Sequence, residues 1–147
     1  MISKLSYTIT LLFVILTKVA FLQELAPVNW HFSYNNEQNL IIAEAKIDSG
    51  WYLYSQIQNE DGPIPTAFYL ENNNGEFEQM FANRNSDYVK NDYDEMFETT
   101  LTKFYTEVTF SIKPLNENYK NGYVEFMCCD NTKCLPPKKI YFNLNKN

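Results

Sequence analysis

The residues best suited to chemistry lie in one short stretch, "VEFMCCDNTKCLPPKKIYF", which holds all three cysteines of the 147-residue chain, Cys128, Cys129 and Cys134. A strand-like run leads into Cys128 and Cys129, the polar turn "DNTK" follows, and Cys134 precedes Leu135, Pro136 and Pro137. Two consecutive prolines fix φ and remove two backbone donors, so the chain leaves Cys134 stiff and extended. A disulfide needs Cα atoms about 4.4 to 6.8 Å apart, which cysteines on either side of a tight turn can meet. Adjacent residues cannot reach that geometry without distorting their peptide, so Cys134 pairs with Cys128 or with Cys129. The spacing leaves both open.

Two readings of such a pair compete. As a structural staple, a loop of about six residues would stabilise the fold by roughly 2 kcal/mol on the chain-entropy model, against about 4.7 kcal/mol for a 100-residue loop. Staples of immunoglobulin-type sandwiches join distant strands instead. Short-range, accessible disulfides are the exchangeable ones, so the spacing allows redox work equally well. Zinc would call for paired C-x-x-C ligands, and the single histidine, His31, lies in a distant segment. No metal and no cofactor is therefore expected.

The elements that must position these sulfurs read as strands. Val28, Trp30, Phe32 and Tyr34 alternate with polar residues, and "NLIIAEAKI" follows between turn-rich segments. Trp51 to Gln56, Thr66 to Glu71 and Gly75 to Phe81 are further short candidates. A longer alternation runs from Phe104 to Ile112, and Tyr123 to Cys128 and Lys139 to Leu144 complete the set. About eight short strands separated by Asn-, Gly- and Pro-bearing turns predict an all-β fold, an immunoglobulin-like antiparallel β-sandwich. The polar segment from Arg84 to Thr102 reads as a long loop.

Ahead of this domain, Lys4 and the apolar run Leu5 to Thr17 have the form of a signal segment. The run is short of the ~20 residues that span a bilayer. Residues 1–23 are expected to be a cleaved signal peptide, cut at about residue 20 to 25, leaving 24–147 as one domain. Export places the cysteines where disulfides persist. The chain carries a net charge of −6, and losing Lys4 and Lys18 makes it more acidic. Such a surface repels phosphate backbones and excludes nucleic acid as a partner.

Several stretches together resemble the N-terminal periplasmic domain of the thiol:disulfide interchange protein DsbD: "PVNWHF", "IDSGWYLYSQ", "GPIPTAF", "DEMF", "TEVTF" and "VEFMCCDNTKCLPP", in that order along nearly the whole mature chain. The resemblance implies a periplasmic immunoglobulin-like domain whose cysteine pair accepts electrons from a thioredoxin-like donor. It passes them to exported oxidoreductases or cytochrome-maturation proteins through transient mixed disulfides, a protein-disulfide reductase type of electron carrier. By position Cys134 matches the second active cysteine. The local "CDNTKCLPP" pattern makes Cys129 its partner, with Cys128 as the alternative. Phe97 falls where the family has a cap phenylalanine over the disulfide, Glu95 where an acidic residue adjoins the cap, and Tyr52 and Tyr54 where tyrosines line the site. The chain stops at Asn147, so the donor is expected on a separate polypeptide, with membrane contact only through a partner and the domain itself a monomer. A different class of function, a non-catalytic exported binding module with a structural disulfide, uses the same fold, because a sandwich by itself names no activity.

Overall fold

In a computed structural model, the described residues are 26–55, 62–71, 77–83, 88–116, 118 and 120–145, with side chains left aside at 77–81 and 83. The expected signal segment 1–23 and its cleavage site lie outside them, as do Gln56 and the start of the strand expected from Gly75.

Among the described residues eleven strands follow in order: β1 (Val28–Asn35), β2 (Leu40–Ile47), β3 (Tyr52–Tyr54), β4 (Ala67–Leu70), β5 (Phe77–Asn83), β6 (Val89–Asp94), β7 (Thr99–Phe104), β8 (Glu107–Pro114), β9 (Asn121–Phe126), β10 (Cys128–Cys129) and β11 (Lys138–Asn143). They form three antiparallel sheets, ordered β1-β2-β8-β5, β10-β3-β7-β6 and β11-β9-β4. The second and third sheets adjoin: β9 runs into β10 through Met127, and Thr66, just before β4, donates from its amide and its hydroxyl to the Tyr54 carbonyl. The first sheet packs its apolar face against both, which makes the antiparallel sandwich that the alternation predicts.

Period-two burial builds the core. Ile41, Ala43, Ala45 and Ile47 of β2 and Val108, Phe110 and Ile112 of β8 point inward, while Glu44 and Lys46 point out. Across the layer they meet Leu53, Phe68, Leu70, Phe104, Val124 and Phe126. Trp30 sits among Phe68, Phe110 and Phe126 with ring centroids 5.5 to 5.9 Å away, so one aromatic cluster ties the sheets together.

At Gly122 the backbones of β9 and β4 come too close for a side chain: a Cβ there would lie 2.1 Å from the Tyr69 carbonyl oxygen. Gly122→Ala is therefore expected to force the strands apart and cost about 1–3 kcal/mol, read as a lower denaturant midpoint with unchanged slope.

Two expectations need correction. The segment Arg84 to Thr102 is not one loop, because β6 and the start of β7 form a hairpin within it, closed by the turn at residues 95–98. Register puts Lys90, Asp92 and Asp94 of β6 on the same face as Lys103, Leu101 and Thr99 of β7. A face made mostly of charged residues gives no apolar alternation to read. The alternation from Phe104 to Ile112 is likewise two strands, interrupted at Tyr105 and Thr106, where Thr106 adopts φ 60°. The Tyr105 amide donates to the Tyr88 carbonyl there, and the Ile47 amide to the Thr106 carbonyl.

Candidate functional site: a disulfide under a pinned turn

Successive strand residues point to opposite faces, and that rule separates the neighbouring cysteines. β10 pairs with β3 in the register Cys128↔Leu53 and Cys129↔Tyr52. Cys128 and Leu53 face the main core, whereas Cys129 joins Tyr52, Tyr54 and Leu101 in a second buried cluster on the other face. Cys129 is bonded to Cys134, with Cα atoms 4.0 Å apart, and Cys128 remains a buried thiol.

The turn holds the two sulfurs opposite each other. Cys129 and Cys134 form an isolated antiparallel bridge. The Asp130 amide donates to the Lys133 carbonyl and the Leu135 amide to the Cys128 carbonyl, each at 2.9 Å. These bonds flank the cysteines without joining them, so the pair occupies the non-hydrogen-bonded position, where opposed side chains lie closest. Asp130 stabilises the turn by accepting from the Thr132 amide (2.7 Å), the Thr132 hydroxyl (2.7 Å) and the Lys133 amide (2.9 Å). The hydrogen bonds from Thr132 hold its carboxyl below the ordinary range. The Tyr52 hydroxyl donates to the Asp130 carbonyl at 3.2 Å, which joins the turn to β3.

Cys129 is fully buried and Cys134 partly exposed, so of the two sulfurs Cys134 is the one an incoming group can reach. Burial, with Asp48 and Asp130 adding to it, pushes the Cys128 thiol up to about 12. At pH 8 only about one such thiol in 10⁴ would be ionised, and the thiolate is the reactive form. Cys128 is accordingly expected to resist iodoacetamide in the native protein and to react fully in denaturant, as mass spectrometry of the alkylated chain would register.

A second turn, residues 95–98 between β6 and β7, covers the disulfide from the side. Met96 places its Sδ 3.9 Å from Cys134 Sγ. Phe97 packs against the second buried cluster and meets Tyr54 edge to face, ring centroids 5.8 Å apart. Glu95 is exposed and lines, with Tyr52, Tyr93, Asp94, Met96, Lys103 and Asn131, a cavity of about 300 Å³. Lys133 reaches toward the ring of Trp51, 5.7 Å from its centroid.

Asp94 pins this turn from below. Its Oδ1 accepts from the Met96 amide (3.0 Å) and the Phe97 amide (3.3 Å), and its Oδ2 from the Tyr54 hydroxyl (2.8 Å) and Lys103 Nζ (2.9 Å). Burial alone would raise the Asp94 carboxyl, but the hydrogen bonds from Lys103 and Tyr54, the Lys103 charge and the Phe97 amide together hold it below the usual range. Lys103 Nζ also lies 4.4 Å from the centroid of the Tyr52 ring. Burial, and then the bond to Asp94, raise the Tyr54 phenol, so it serves as a fixed donor. Burial raises the Tyr52 phenol as well.

The structure thus brings Cys129, Cys134, Tyr52, Tyr54, Glu95 and Phe97 into one region, and Cys128 onto the opposite face. Sequence reading missed Met96, Asp94 and Lys103 as parts of it. Their only signal was proximity: Asp94 and Met96 stand in the "DEMF" stretch beside residues already singled out.

The fold is shared with a solved structure. The chain superposes on the Neisseria meningitidis DsbD N-terminal domain in the reduced form with a TM-score of 0.62, at 15% sequence identity, covering 84% of this chain and 91% of that one. The fold is that of the DsbD N-terminal domain. A looser likeness joins it to the N-terminal periplasmic domain of ScsB from Proteus mirabilis, with a TM-score of 0.47 and 14% identity over 80% of this chain and 46% of that one. No protein-family model matches the chain, and no curated protein matches it. Against the DsbD-type fold, Cys129 and Cys134 occupy the end of the second sheet, and the turn that bears Met96 lies over them.

Proposed function

We propose that this chain is an exported thiol-disulfide exchange domain, in which Cys129 and Cys134 accept electrons from a thioredoxin-like donor and pass them to partner oxidoreductases. The observation that carries the reading is the Cys129–Cys134 bond itself: it closes a loop of sequence separation 5, with one sulfur buried and the other partly exposed. A bond so placed constrains little of the unfolded chain and stands open to exchange.

Exchange proceeds by attack of a donor thiolate on Cys134 Sγ. The donor–Cys134 bond forms, the Cys129–Cys134 bond breaks, and Cys129 leaves as a thiolate that takes up a proton. The donor's second thiolate then attacks its own sulfur in the mixed disulfide, which releases Cys134, protonated in turn, and leaves the donor oxidised. Two electrons and two protons have entered the domain. In the onward step the Cys134 thiolate attacks a partner disulfide, and Cys129 displaces the partner and restores the original bond.

The turn at 95–98 acts as the cap in this reading, with Met96 against Cys134 and Phe97 anchoring it on Tyr54. It must move aside for a partner, and Glu95 lies where the partner docks. Tyr52 and Tyr54 position the site: one holds the Asp130 turn and the other holds Asp94. Residues 1–23 are proposed as the signal that takes the domain to an oxidising, periplasm-like compartment, where it works as a monomer.

The reading is tested by giving oxidised protein catalytic amounts of thioredoxin, thioredoxin reductase and NADPH. One NADPH consumed per chain is expected, and none for Cys129→Ala/Cys134→Ala. If the wild type consumes no NADPH and the double variant only melts earlier, the disulfide is a staple and the proposal is wrong.

A further inference from the structure

Three sulfur atoms converge at this site. The Met96 thioether lies 3.9 Å from Cys134 Sγ, and Cys134 is bonded to Cys129 from directly opposed backbone positions. Once the pair is reduced, the site offers two thiols and a thioether on one small patch. Met96 reaches it from a different turn, and Asp94 sets that turn's place through the Met96 and Phe97 amides.

We propose that the reduced form binds a single Cu(I) ion through Cys129, Cys134 and Met96. Thiolate and thioether donors are soft and select Cu(I) over harder cations. Among the described residues no group of three His, Cys, Asp or Glu side chains could hold a metal, so zinc and calcium lack the ligands they require. The spacing suits a three-coordinate ion: sulfurs at about 2.3 Å from a metal in a trigonal plane stand about 4 Å apart, close to the distance seen between Met96 and Cys134. Tyr52, Leu101, Phe97, Tyr105 and Met127 surround the cysteines with largely apolar surface. Such a shell limits solvent access and favours a low-charge ion.

Binding is an exchange of protons for metal. Cu(I) displaces one proton from each thiol and forms two copper–thiolate bonds and one copper–thioether bond, with no change in oxidation state. The ion and the disulfide exclude each other, because the same electron pairs on the two cysteine sulfurs are needed for both. The inference rests on the proposed function only in requiring a pair that can be reduced, which a phosphine reductant can accomplish without any protein donor.

The test uses full chain reduced with a phosphine, desalted under nitrogen, and titrated with Cu(I) held by bicinchoninate. The reduced protein is expected to withdraw one Cu(I) per chain and to show three sulfurs at about 2.3 Å by X-ray absorption. Met96→Leu, a change at a residue 43% exposed, should keep the fold, leave two sulfurs around the metal and weaken binding about tenfold or more. Oxidised protein and Cys129→Ser/Cys134→Ser should leave the metal with the chelator. The inference is overturned if reduced wild type takes up no Cu(I), or if Met96→Leu keeps both the affinity and the three-sulfur shell. Thioredoxin turnover of the same samples without copper separates the two claims: turnover without copper uptake removes the metal site alone, and copper uptake without turnover removes the exchange function alone.

Discussion

A Cys129→Ser variant is expected to accumulate as a covalent adduct, through Cys134, with a thioredoxin-like protein whose own second cysteine has been replaced, whereas Cys134→Ser is expected to form none. The asymmetry follows from burial: Cys129 is fully buried against Tyr52, Tyr54 and Leu101, and Cys134 stands partly exposed at the mouth of the turn. With Cys129 gone, the remaining accessible thiol can enter a mixed disulfide but has no internal partner to resolve it. With Cys134 gone, the remaining thiol is shut away, and turnover falls to the protein-free background. Non-reducing electrophoresis reads both outcomes after each variant is mixed with a thioredoxin whose second cysteine is replaced by serine and whose first is activated as a thionitrobenzoate disulfide, the thionitrobenzoate leaving as Cys134 forms the adduct. Equal trapping by the two variants would mean that the buried sulfur is as reachable as the exposed one, contrary to the geometry.

The second large effect concerns stability. Lys103→Met removes the cation from a pair in which Asp94 is 1% and Lys103 5% exposed, leaving a buried carboxylate without its counter-charge. Breaking such a pair costs about 3–5 kcal/mol, a large part of the total stability of a small domain. A fall in melting temperature of roughly 10–20 °C is expected at neutral pH. The pH dependence distinguishes this from lost packing. In the wild type the Asp94 carboxyl is held below its ordinary value, so its contribution is complete above the unfolded pKa of about 3.9 and is lost as pH falls through the lower folded value. In the variant, burial dominates and raises the same carboxyl, so protonation relieves the unpaired charge. The gap between variant and wild type should therefore narrow as pH drops from 7 toward 4. A gap that stays constant over that range would assign the loss to packing alone. Because Asp94 also accepts from the Met96 and Phe97 amides, the variant should expose the disulfide as well, with faster reduction by a small dithiol.

Where one face of a strand is apolar, the sequence alternation located it to within a few residues: Val28–Asn35, Leu40–Ile47, Ala67–Leu70 and Lys138–Asn143 all fall on the predicted runs. The hairpin of β6 and β7 was illegible because its site-facing positions carry Lys90, Asp92, Asp94 and Lys103, and the burial of Asp94 and Lys103 rests on their pairing rather than on hydropathy. The break at Tyr105 and Thr106 was hidden for another reason: one residue with positive φ restarts the same alternation on a new strand.

The cysteine cluster itself stood out at once, yet spacing could not choose between Cys128 and Cys129. The choice depends on which face of β10 looks toward Tyr52, and that is fixed by pairing with β3, 75 or so residues earlier, through the register Cys129↔Tyr52. The resemblance points to Phe97, and Met96 stands beside it in the same turn. The Asp94 hydrogen bonds to their amides set which side chain meets the sulfur, and nothing in the residue types announces that.

The central claim is that the Cys129–Cys134 bond opens to a protein dithiol while the rest of the domain stays folded. Oxidised native protein treated with reduced thioredoxin, quenched with acid, alkylated and mapped by mass spectrometry tests this most directly. The expected result is label on Cys134 within the time of thioredoxin exchange while the domain is folded, with the buried Cys128 and Cys129 taking label only in denaturant, and Cys129 then only where thioredoxin has acted. A Cys134 that stays unlabelled until the chain is unfolded, with Cys129 unlabelled even in denaturant, would contradict it.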